Sequence, residues 1–146
     1  MAFRFSLGAV LKYREGIEQR EYLALEKLQK EVALAEHRVQ QIDEAFSDAE
    51  QERAKELADG VRGADLKSAY EHRAALEEQR QVLLAQLKEA TVKWQQQLLS
   101  YQEARRSRET LDSLRSQQLE AYVREKSKQE QNALDDIFLS RWKRRD

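Results

Sequence analysis

The side chains best suited to chemistry here are two histidines, an acidic pair and a basic tail, and their spacing speaks against catalysis. Carboxylate-bridged metal sites in helical bundles place a Glu three residues before a His, which sets both on one helix face. His37 and His72 have Leu34 and Ala69 at that place. Neither belongs to a His-Glu-x-x-His zinc motif, and each reads as a solvent-facing residue on a charged helix. Asp135 and Asp136 offer hard oxygen ligands, yet neighbours on a helix point to different faces and chelate poorly. The pair reads as a solvated face, with contact to a partner as the alternative. Gly60 and Gly63 are not followed by Lys-Ser or Lys-Thr, so no phosphate loop is present. No catalytic, cofactor-binding or metal-binding residue is assigned, no cofactor is expected, and the chain is not read as an enzyme. The tail Arg141-Trp142-Lys143-Arg144-Arg145 has the residue types that touch nucleic acid or anionic lipid. Cations at a helix C-terminus are also favoured by the helix dipole. With a net charge of -1 and no broad basic stripe, protein contact is preferred and nucleic acid is not expected.

The elements that carry these residues follow from composition and spacing. The 146 residues include no proline, no cysteine and four glycines, and 36% are charged. Ala, Leu, Glu, Gln, Lys and Arg dominate, and all of them favour helix. From Leu25, the series Leu28, Val32, Ala35, Val39, Ile42, Phe46 and Ala49 alternates steps of three and four, which is a heptad seam. It reaches less regularly toward the N-terminus through Ile17, Leu11 and Leu7. A second stripe runs through Leu76, Leu83, Leu87, Ala90, Trp94, Leu98 and Tyr101, then Leu111, Leu114, Leu119 and Tyr122. Charges interrupt the seam at Arg14, Glu21, Arg53, Arg73, Arg80 and Arg108.

Between the stripes, Asp59 to Asp65 forms the interruption: Gly60 suits a left-handed helix stop and Asp65 suits a cap. Ser6 is the expected first cap, with Phe5 and Val10 as a hydrophobic staple. The expected fold is therefore all-α: one coiled-coil domain over residues 1–146, folded as a long antiparallel two-helix hairpin. Helix one is expected at about 6–58, the turn at about 59–65 and helix two at about 66–143. Pairing then joins residues whose numbers add to about 124, giving a paired part of roughly 80 Å and a C-terminal overhang of about 29 residues or roughly 40 Å. The overhang carries Leu134, Ile137, Phe138, Leu139 and Trp142 with no cover from helix one, which calls for a partner. Residues 1–60 hold nine Lys/Arg against thirteen Asp/Glu and residues 61–146 seventeen against fourteen, a bias of -4 facing one of +3. Such opposite bias favours the hairpin weakly. The longest uncharged stretch, Trp94 to Gln102, is far too short to span a bilayer, and no signal peptide is apparent, so a cytoplasmic protein is expected.

Both ends carry a family pattern. The stretch Phe3-Arg4-Phe5-Ser6-Leu7, with Val10, Leu11, Tyr13 and Arg14, resembles the start of FliJ-type proteins of the bacterial flagellar type III export apparatus. Glu130-Gln131, Leu134-Asp135-Asp136 and Arg141 resemble that family's C-terminal signature. The resemblance implies an antiparallel coiled coil like the stalk subunit of rotary ATPases. It implies three partners: the flagellar export ATPase, the export gate membrane protein and export chaperones. Its site residues would be Phe3, Phe5 and Leu7 at one end and Glu130, Gln131, Leu134, Asp135, Asp136, Ile137, Phe138, Arg141 and Trp142 at the other, with the overhanging helix presented to the ATPase ring. Through those partners the protein would sit at the inner face of the cell membrane. The competing reading is a structural spacer whose hairpins self-associate into a four-helix bundle. Solution size separates the two, as an elongated monomer for the stalk and a stable dimer for the bundle.

Overall fold

The computed structural model describes residues 2–60 and 62–145. Val61, at the centre of the expected turn, lies outside the described residues, as does the side chain of Arg145 in the basic tail. Helix α1 runs Gly8–Asp59 over 52 residues and helix α2 runs Gly63–Arg145 over 83, and the two pack against each other as an all-α hairpin. Among the described residues there is no strand. Contacts group into two units: Glu21–Tyr101, and Met1–Arg20 with Gln102–Asp146.

Each helix end has a local cause. Gly60 takes φ 87°, where a Cβ would crowd the following carbonyl, so glycine closes α1 at low cost. Both caps lie elsewhere than Ser6 and Asp65. The amide of Leu11 donates to the Leu7 carbonyl at 2.9 Å, which places the first cap at Leu7, after a turn closed by Gly8 N–H to Phe5 O at 3.1 Å. The amides of Asp65 and Leu66 both donate to the Arg62 carbonyl, at 3.1 and 3.2 Å, so Arg62 is the cap of α2 and Asp65 lies inside its first turn. There its carboxylate still stabilises the positive end of the helix dipole.

In the Glu21–Tyr101 unit, every member of the Leu25–Ala49 series is buried or half-buried, as the heptad spacing requires. Its mates across the seam include Leu76, Leu83, Leu87, Ala90, Trp94, Leu98 and Tyr101. The register is marked by Asp43–Arg80 at 2.7 Å, Glu50–Arg73 at 3.6 Å, Arg53 over the Tyr70 ring at 4.5 Å, and the rings of Tyr22 and Tyr101 at 5.8 Å. In all four pairs the residue numbers add to about 123, the constant total that an antiparallel seam demands. Gln97 Nε2 donates to the Glu21 carbonyl at 3.0 Å and also to the Glu21 carboxylate. The Nε–H of Arg53 and the indole N–H of Trp94 are enclosed without an acceptor, so part of the seam carries a desolvation cost.

In the other unit, Leu11 and Ala104 are buried, and Leu111 and Leu114 are half-buried beside them in the sequence order of the seam. Glu18, Arg108 and Asp112 form its polar layer. Arg108 donates from Nε to Glu18 Oε2 at 2.6 Å, from a terminal nitrogen to Glu18 Oε1 at 3.1 Å, and from the other to Asp112 at 2.8 Å. The Arg108 guanidinium hydrogen bond holds the Glu18 carboxyl below its usual range, against a smaller opposing effect of burial, and the two carboxylates raise the Arg108 pKa. Three expected seam members of this unit fall outside it: Leu7 and Arg14 are exposed, and Leu119 is 41% exposed.

Candidate partner-binding surface

The base of the hairpin begins before the first helix. Residues 3–7 lie ahead of α1 and carry the N-terminal candidates. Phe3 is half-buried with its ring 5.6 Å from that of Tyr122, at a tilt of 48°, and Phe5 is half-buried as well. Leu7 is exposed. Phe3 and Phe5 thus spend apolar surface on their own chain. Because Phe3, ahead of α1, joins the pairing, contact extends to Tyr122 and does not stop at Gln117. The overhang is correspondingly shorter than about 29 residues.

Beyond Tyr122, every residue from Val123 to Arg144 is exposed while the chain stays helical. Leu134, Ile137, Phe138, Leu139 and Trp142 are 51–69% exposed, Phe138 most of all. Their placement round the helix decides what can cover them. Carrying the seven-residue period of Ala104, Arg108, Leu111 and Tyr122 down α2 brings Asp136 and Leu139 to the inner side. Leu134, Ile137, Phe138 and Arg141 then lie roughly 120–180° away, on the opposite side. The cluster is therefore not an unfinished stretch of hairpin seam. It is a separate stripe with its own direction, and Val123 and Glu130 lie on the same side.

The polar candidates divide in the same way. Gln131 Nε2 donates to Asp135 at 3.2 Å, one turn on. Asp136 points away from that pair, and among the described residues no three His, Asp or Glu groups converge as metal ligands. The two histidines are both exposed. His72 borders an open groove in the Glu21–Tyr101 unit, lined also by Phe46, Arg53, Ala69, Arg73 and Leu76. Spacing of apolar residues had no means of finding Glu18, Asp43 or Gln97, because the seam uses polar side chains there, whereas Ala104, three residues after Tyr101, continues the same spacing. The exposed Val123 belongs to the outer stripe, whose phase is seen only against the seam.

Among the described residues, no helix is long and apolar enough to cross a membrane. No curated protein and no solved structure matches the chain. A family model described as flagellar FliJ protein matches residues 3–146, which takes in both terminal patterns and the whole hairpin between them. The chain belongs to the FliJ family and is a component of the flagellar protein export apparatus.

Proposed function

We propose that this chain is a stalk that binds the flagellar export ATPase through the exposed end of α2 and raises its turnover, while the hairpin connects the ATPase to the export gate membrane protein and to export chaperones. The observation that carries the reading is the outward stripe of Leu134, Ile137 and Phe138, with Trp142 exposed beside it, on a helix that its own chain leaves bare. An isolated helix end of this kind can enter a ring and touch its subunits unequally, and unequal contact is what shifts a population between states. Leu134 and Phe138 serve as anchors; Glu130, Gln131, Asp135, Asp136 and Arg141 fix orientation at the rim. Phe3 and Phe5 hold the base beneath the tail through contacts such as Phe3–Tyr122, and Leu7 adds exposed apolar surface there. The work is placed in the cytoplasm, at the inner face of the membrane where the gate resides.

Binding of the purified export ATPase to this protein and to its Leu134→Asp/Phe138→Asp variant tests the reading. Burying each side chain is worth about 1.5–3 kcal/mol, so losing both should weaken binding by at least about 100-fold. Equal affinity for the two proteins would refute the placement of the ATPase on the tail.

A further inference from the structure

The outer stripe of α2 has a symmetry that points to a second occupant. Ile137 lies near its middle. Glu130 and Arg144 lie seven residues before and seven after, both exposed and on the same flank of the stripe as Ile137. Leu134 and Phe138 lie side by side along its centre. In two antiparallel helices related by a two-fold axis, residues on one flank meet residues on the same flank of the other copy. An axis close to Ile137 therefore brings Glu130 of each copy to Arg144 of the other, twice over, while Leu134 meets Phe138 across the centre. Arg141, four residues beyond the axis, falls at the level of Ala133 of the other copy. A stripe with opposite charges at equal distances about an apolar midpoint is complementary to itself.

We infer that the tail of a second copy of this chain covers the stripe, antiparallel, in a reversible dimer formed by residues 127–144 alone. The inner side of α2 plays no part, since the stripe faces away from the hairpin seam. The dimer therefore differs from a side-by-side bundle of hairpins: it depends on the tail and leaves the Glu21–Tyr101 unit untouched. It also occupies Leu134 and Phe138, the same anchors assigned to the ATPase, so the monomer is the working form and the dimer a stored one. The two readings stand apart, because self-association is measured with this protein only.

Sedimentation velocity of the full chain over a wide concentration range gives the test. Mass should rise from 17.2 kDa toward twice that value as concentration increases. Glu130→Arg or Arg144→Glu alone turns two attractions into two repulsions and should weaken the dimer by at least about tenfold. Combining both reversals should restore the affinity to within about threefold, since the pairs are rebuilt with their signs exchanged. Far-UV circular dichroism should show unchanged helicity in all three, as both positions are exposed. A chain that stays monomeric at every concentration would overturn the inference, whether or not it moves onto vesicles containing phosphatidylglycerol. So would a dimer indifferent to the single reversals, which would assign association to the hairpin faces, or one that the double reversal fails to rescue.

Discussion

Replacing Arg108 by methionine removes three charge-assisted hydrogen bonds from the base of the hairpin and leaves the neighbouring carboxylates behind. The Glu18 side chain is only 17% exposed and that of Arg108 25%, whereas Asp112 is 40% exposed. Asp112 regains water readily, so its loss is small, within the about 0–1 kcal/mol of an exposed pair. Glu18 regains less, and a sheltered carboxylate without its partner should cost about 1–3 kcal/mol at neutral pH. Urea unfolding followed by far-UV circular dichroism measures it. Adding Glu18→Leu to Arg108→Met should recover most of the loss, because the sheltered charge is then gone and the seam gains apolar contact. Acid gives an independent check. The Glu18 carboxyl sits below its ordinary 4.5 because Arg108 hydrogen-bonds the charged form. Its contribution is then complete above about 4.5 and falls away as pH drops through the lower folded value, where the native state must also take up the proton. The single variant should lack that part of the acid dependence. A loss below about 0.3 kcal/mol in Arg108→Met, with an acid profile matching the parent, would show that the layer contributes nothing and refute the reasoning.

Four further outcomes follow from the same geometry. Gly60→Ala, at φ 87° with open space around it, should cost about 1–2 kcal/mol through backbone strain alone, so a melt indistinguishable from the parent would contradict the left-handed stop. Spin labels at Val39 and Leu83, which bracket the Asp43–Arg80 pair, should report one short distance across the Glu21–Tyr101 seam, whereas a separation larger by several helical turns would contradict the register. Leu134→Asp/Phe138→Asp should retain the helix content and stability of the parent to within about 1 kcal/mol, because at 61% and 69% exposure these residues give up only helix propensity. By contrast, Ile42→Ala, at 9% exposure, should cost about 2–5 kcal/mol in the same denaturation assay.

The all-α hairpin was legible because its physics is local. The Leu25–Ala49 series repeats without a gap, Gly60 breaks it, and few other arrangements can bury a narrow stripe of that period. Where the seam relies on polar chemistry, apolar spacing says little: Arg80, Gln97 and Arg108 hold the two helices in register through carboxylates on α1. Leu119 shows the converse error, an apolar residue that spacing assigns to the seam and the helix turns outward. The caps lie one residue from Ser6 and three from Asp65, since the cap is fixed by which carbonyl accepts the first helical bond and the side chain only assists. The tail cluster could be named from hydrophobicity alone, but its outward direction emerges only when its phase is set against Ala104, Arg108 and Tyr122.

Phosphate release by the purified flagellar export ATPase, followed while this chain is titrated to saturation, tests the stalk reading most directly. The account predicts that turnover rises with added protein, that Leu134→Asp/Phe138→Asp produces no rise, and that this protein alone releases no phosphate. Unchanged turnover at saturation, with binding established separately, would contradict a stimulating stalk and leave a linker that docks without altering the ATPase.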